Sequence, residues 1–193
     1  MTRELVGCLR PGGRTARTRE AVLTSTRELL AQEGPAAMRV ELIAARAGVH
    51  RSSIYRRWRD PTGIIADLAA EVTASLEQPD TGSLRGDLAA MANQLATRLD
   101  AVGSALVRAL GAWPDVRVQR TLERFWAERR TDVGRILARY GSDAEPADVL
   151  RLAAGPIHYR AVIERRPIDR HVVDDAVDAA LERRLSTTRH RER

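Results

Sequence analysis

Lysine is absent from these 193 residues, cysteine and phenylalanine occur once each, and aromatic side chains make up only 4% of the chain. The lone Cys8 excludes an intramolecular disulfide and any metal site built on several cysteines. No apolar run approaches the roughly 18 residues that a membrane span needs, so no membrane partner is expected. The opening stretch MTRELVGCLRPGG is interrupted by Glu4 and Gly7 and does not read as a secretory signal, so a cytoplasmic location is the expectation. Strand-like alternation is missing throughout, which leaves an all-α fold. Catalytic signatures are missing too. His50, His158, His171 and His190 are scattered without HxxxH or HExxH spacing, and there is neither a glycine-rich phosphate loop nor a GxSxG elbow. The acidic groups Glu123, Glu128, Asp132 and Asp174, Asp175, Asp178 alternate with arginine and read as solvated helix faces. An enzyme, a metal and a cofactor are therefore not expected.

What is present is arginine, unevenly distributed. Residues 1–60 carry 12 arginines against 6 acidic residues, whereas residues 61–193 carry 20 of each, so the formal charge of +6 resides in the first third. A localised basic excess is the electrostatic footprint of a polyanion partner. A protein that wraps DNA without regard to sequence would spread its charge. Residues 61–181 instead hold 15 arginines against 18 acidic groups, which excludes that class.

Apolar periodicity predicts about nine helices. A first runs over residues 15–33, with Val22, Leu23, Thr26, Leu29 and Leu30 on one face and Gly34-Pro35 as its stop. A fourth starts at Asp60-Pro61 and continues through Ile64, Ile65, Leu68, Val72 and Leu76. The stretch QPDTGS at 78–83 is the clearest break. Beyond it lie helices on Leu84 to Leu99 and Val102 to Leu110, then a long one over 115–140, one over 146–166 disturbed at Gly155-Pro156, and a last one over 169–185. The expected organisation is an arm at 1–13, a three-helix unit at 14–60, a connecting helix at 61–77, a larger helical domain at 84–185 and a disordered tail at 186–193. Arg10, Arg14, Arg17 and Arg19, near the end of the arm, either reach phosphates or a minor groove, or are simply solvated.

The stretch RVELIAARAGVHRSSIYRRW, residues 39–58, carries the functional signal. Val40, Ile43, Ala44 and Ala47 form one apolar stripe, Gly48 allows a tight turn, and Val49, Ile54 and Trp58 resume the stripe. Between these anchors the second helix offers arginine, serine and tyrosine, a set suited to a DNA groove because arginine reads guanine edges bidentately while hydroxyls grip phosphate.

IAARAGVHRSSIYRRW, followed by a long fourth helix and preceded by REAVLTSTRELLAQEG, resembles the tetracycline-repressor (TetR) family of transcriptional regulators. AAGPIHYRAVIERRPID is similar to a segment that one branch of the family carries on its dimer-forming helices. The resemblance implies base reading by Arg51, Ser52 and Arg56 and phosphate contacts from Ser53, Tyr55 and Arg57. Arg39 stands where a capping Thr or Ser is usual, His50 where a small polar residue is common, and Thr62 near a position that often holds a phosphate-binding lysine. These three are expected to touch phosphate as well.

The resemblance also implies an effector site in the C-terminal half. Met91, Trp113, Phe125, Trp126, His158 and Tyr159 are the large or polar-tipped residues there, in a setting otherwise made of Ala, Val and Leu. Such residues line small-molecule pockets and also fill ordinary cores. One recognition helix spans few base pairs, so a homodimer through the two C-terminal helices is expected, placing its recognition helices about 34 Å apart on double-stranded DNA. Ligand-independent or activating control by the same fold is the alternative to repression released by an unknown small-molecule effector.

Overall fold

The computed structural model describes residues 13–73 and 77–191, without the side chains of 14, 72, 73 and 183–191. Among them are nine α-helices and no strand: α1 Gly13–Glu33, α2 Val40–Ala47, α3 Arg51–Trp58, α4 Pro61–Thr73, α5 Leu84–Arg98, α6 Ala101–Gly111, α7 Val116–Arg139, α8 Pro146–His158 and α9 Arg170–Arg191. A 3₁₀ turn, Pro35–Ala37, follows α1, and a π-helical turn, Tyr159–Ile163, follows α8. The helical start at Gly13 is two residues earlier than expected, with the Arg17 Nε–H donating to the Gly13 carbonyl at 2.9 Å. Arg10 and Cys8 of the expected arm lie outside the described residues, as do Leu76 and the side chains of Arg14 and Val72.

Two apolar cores organise the molecule. The first gathers Val22, Leu23, Leu29 and Leu30 of α1 with Ile43, Ile54, Trp58, Ile64, Ile65 and Leu68 of the next three helices. It does not close within the N-terminal unit: Leu106, Ala109 and Leu110 of α6 and Val118 of α7 belong to it. Accordingly, α6 packs along α1 and α7 along α4. The second core joins α5, α7, α8 and α9 around Leu88, Val133, Ile136, Val149, Ile157, Val173 and Val177.

Two features of the last helices differ from expectation. Pro156 lacks an N–H for the α-helical ladder. Just beyond it the bonding widens to five residues, with the Glu164 N–H donating to the Tyr159 carbonyl at 3.0 Å. The tail expected to be disordered from 186 instead continues α9 to Arg191, because no proline or glycine between Arg170 and Arg191 interrupts the helix.

Candidate nucleic-acid interface and effector cavity

Gly48 turns α2 into α3. Its backbone is left-handed at φ 64°, ψ 34°, a conformation that costs glycine nothing. The Val49 N–H then donates back to the Ala44 carbonyl at 3.1 Å, closing the end of α2. Neither short helix has a side-chain cap: Arg39 and His50 occupy the N-cap positions with extended backbone and no capping hydrogen bond. Arg39 therefore stands exposed at the start of α2, its guanidinium uncommitted to the helix end.

Of the eight residues of α3, Ile54 and Trp58 are buried and Ser53 is half-buried, while Arg51, Ser52, Tyr55, Arg56 and Arg57 face solvent. Burial on one side fixes the helix axis and leaves the cationic side free. Arg51 lies 3.9 Å from Glu41, but both side chains are more than half exposed, and a pair of that kind is weak and easily exchanged for phosphate or base. Arg57 holds its guanidinium over the Trp58 ring, 5.3 Å from the centroid, while the residue stays exposed to solvent.

The joint between α3 and α4 is tight. Arg59 adopts φ 68° and ψ −42°, and the Asp60 N–H donates across it to the Trp58 carbonyl at 2.8 Å, a γ-turn. The same carbonyl faces Gly63, where an added Cβ would stand 2.1 Å from it. Asp60 caps α4 by accepting the Gly63 N–H at 2.7 Å and lies 3.4 Å from Arg117 of α7. The Gly63 amide at the start of α4 is thus satisfied internally by a carboxylate, and the half-buried Thr62 lies between Asp60 and Gly63 in the chain.

The largest feature invisible from sequence is the clamp behind α3. Asp67 accepts the Trp58 indole N–H at 2.9 Å and a two-pronged contact from Arg19 at 2.6 and 3.0 Å. Glu71 takes a second Arg19 bond at 2.9 Å and Arg27 at 2.8 Å. Burial alone would raise the Asp67 carboxyl, but the Arg19 and Trp58 donors hold it below the usual carboxylate range. Arg19, read as an arm residue facing phosphate or solvent, instead locks α1 to α4. The partners lie 48 residues apart, and no local pattern signals the pairing.

In the C-terminal half, Met91, Phe125, Trp126 and His158 line one small cavity together with Leu95, Arg129 and Leu150. Phe125 and Trp126 meet edge to face at 5.0 Å, and the His158 ring lies 5.5 Å from Trp126. Burial depresses the His158 pKa despite a 3.0 Å bond from Nδ1 to the Ala154 carbonyl, so the ring is neutral at pH 7. The other two expected lining residues are placed elsewhere. Trp113, in the loop before α7, packs against the first core. Tyr159 is 57% exposed, because adjacent helical residues point about 100° apart and His158 takes the inward direction. Arg129 is the lining residue that sequence reasoning missed; it read as part of a solvated charge pattern.

An all-α protein that holds a two-helix turn motif by one face and presents a cationic helix on the other belongs to the class of helix-turn-helix DNA-binding regulators. Sequence comparison agrees and is more specific. The profile described as "Bacterial regulatory proteins, tetR family" matches residues 22–68, and "Tetracyclin repressor-like, C-terminal domain" matches 78–180. The chain belongs to the TetR family of transcriptional regulators. It is 29% identical over 170 residues to the uncharacterized HTH-type transcriptional regulator YdeS of Bacillus subtilis, covering 83% of this chain and 86% of that protein. It is 34% identical over 131 residues to the HTH-type transcriptional regulator AqdR of Rhodococcus erythropolis, covering 65% and 62%. Among solved structures, a transcriptional regulator from Rhodococcus sp. Rha1 shares the fold with a TM-score of 0.71 at 16% identity, covering 88% of this chain and 96% of that one. A TetR-family regulator from Marinobacter aquaeolei VT8 does so at 0.68 and 19%, with the same coverage.

Proposed function

We propose that the protein is a repressor that binds a pseudo-palindromic operator as a homodimer and is released by a small-molecule effector. The observation that carries this reading is the core shared between the DNA-binding helices and α6 and α7: Leu106, Leu110 and Val118 pack among the side chains that support α3. A ligand that moves α7, whose Phe125 and Trp126 line the cavity, shifts the footing of the recognition helix, and so favours one spacing of the two half-sites over another. Cooperation of two copies follows from the small reach of one eight-residue helix.

In this reading Arg51, Ser52 and Arg56 read base edges, while Arg39, His50, Ser53, Tyr55, Arg57 and Thr62 contact phosphate. Operator DNA selected from a random pool, followed by gel shifts against scrambled sequence, tests the division. Arg51→Ala and Arg56→Ala are expected to cost about 1–3 kcal/mol on the operator and to relax preference at particular base pairs. Arg57→Ala is expected to weaken operator and scrambled DNA alike and to reduce the salt slope by about one. Equal losses on both DNAs for Arg51→Ala and Arg56→Ala would overturn the assignment of base reading.

A further inference from the structure

We infer that the cavity beside α7 selects an aromatic-sized molecule bearing a carboxylate or similarly anionic oxygen, with Arg129 as the residue that recognises it. The inference rests on the reading of this half as an effector-binding domain and names the chemistry that reading leaves open.

Arg129 projects from α7 into an apolar setting. Its side chain is only 13% exposed and its guanidinium lies over Phe125, 5.5 Å from the ring centroid. One terminal nitrogen holds Asp132 at 2.7 Å, but the buried Nε–H has no hydrogen-bond partner among the described residues. A buried N–H of a charged group without an acceptor is costly, and few persist in folded proteins without a role. Asp132 does not cancel the charge of the site, because it also binds Arg135 at 3.0 Å; two guanidinium groups share one carboxylate. Of these three side chains, Arg129 is the one that lines the cavity.

The remaining lining sets the rest of the ligand. Met91, Leu95, Phe125, Trp126 and Leu150 present thioether, aliphatic and aromatic surface, which favours a flat apolar body. His158 cannot supply a competing positive charge: it is neutral, with its Nδ1–H given to the Ala154 carbonyl. The enclosed space is about 40 Å³, enough for little more than a water molecule, whereas a cleft of about 330 Å³ opens on the other side of Trp126 and His158. Arg130 and Arg151 line that cleft. A molecule entering past cationic side chains and parting Trp126 from His158 reaches Arg129 with its oxygen first.

Three probes of one shape and different charge test this: 1-naphthoate, 1-naphthamide and 1-naphthylmethylamine, titrated into the full-length protein and read by tryptophan fluorescence and by thermal shift. The expected result is naphthoate binding at least tenfold more tightly than the amide, with the amine weakest. Arg129→Met is expected to remove the preference for naphthoate while leaving amide binding within about twofold, a change equivalent to about 1.4 kcal/mol for the tenfold part. Arg129→Lys, which keeps the charge but loses the Nε–H, restores part of the preference. Circular dichroism checks that both variants fold; if Arg129→Met does not, Arg129→Lys and the wild-type charge series decide the matter. Equal binding of the three probes, or preference retained in Arg129→Met, overturns the role of Arg129 while leaving an effector cavity standing. Absence of binding by all three to folded protein at millimolar concentration removes the cavity as an effector site, and the inference with it.

Discussion

At the scale of single residues, the support of α3 depends on a few close approaches. Alanine is normally the better helix former by about 0.8–1.0 kcal/mol over glycine. At Gly63 the sign is reversed, since the added methyl would meet the Trp58 carbonyl at 2.1 Å and the γ-turn at Arg59 leaves that carbonyl little room to retreat. Gly63→Ala is expected to destabilise by about 1–3 kcal/mol and lower Tm by roughly 2–4 °C for each kcal/mol. Gly111→Ala, at the end of α6 with open space around its Cβ position, is the control and is expected to leave Tm unchanged or slightly higher. Differential scanning calorimetry compares them; a neutral Gly63→Ala would mean that the α3–α4 joint is loose. Trp58 shows how far such a residue is legible. Its place on the apolar stripe is plain in the sequence, but its indole bond to Asp67 depends on a tertiary approach of α4.

At the scale of elements, the stretch 78–83 reads as a break, yet it is pinned. The fully buried Asp87 accepts the Thr81 N–H at 2.6 Å, the Thr81 hydroxyl at 2.7 Å, Arg139 at 2.8 Å and the Tyr140 hydroxyl at 3.0 Å. Ser83 caps α5 through the Gly86 N–H at 3.0 Å. Burial would raise the Asp87 carboxyl, but these donors outweigh it and hold the carboxyl below the ordinary range. A depressed carboxyl contributes stability that is present above the unfolded-state value and lost as pH falls through the folded one. Asp67 acts in the same direction. The neutral His158, whose folded value is depressed, adds a loss as pH drops below the usual imidazole range, because only the unfolded chain takes up that proton readily. Thermal melts from pH 7 to pH 3 are thus expected to show a falling Tm in two stages. Asp87→Asn is expected to lower stability at pH 7 by about 1–3 kcal/mol and to flatten the acid stage. An unchanged acid stage in Asp87→Asn would show that other carboxylates govern it.

At the scale of the whole molecule, two facts frame how the halves work together. Positive charge is concentrated in residues 1–60, the third of the chain that contains the helix-turn-helix, so the field that attracts a polyanion originates around that motif. The first core crosses from α1–α4 into α6 and α7, so the halves are mechanically continuous. Among the described residues, Val173, Ala176, Val177 and Ala180 of α9 are buried within the chain, whereas Tyr159 at 57% and Ile163 at 64% exposed stand outward on the π-helical turn after α8. Light scattering is expected to show a dimer at micromolar concentration, and Tyr159→Glu with Ile163→Glu to shift it to monomer while circular dichroism stays unchanged. A dimer that survives both charges would place the contact elsewhere.

The sequence by itself determined the helical class, the position of Gly48, the inward anchors Ile54 and Trp58 and the cationic run between them. All of these follow from spacing within one helix or from one turn, and periodicity reports such local relations directly. The tertiary structure decided which partners meet across distance. Arg19, open to phosphate or solvent in the sequence, pairs with Asp67, Asp60 takes an amide at the start of α4, and Trp113 and Tyr159 lie apart from the cavity that Arg129 lines. Those outcomes depend on how helices pack, which sets the directions of side chains dozens of residues apart, and a one-dimensional pattern carries no record of it.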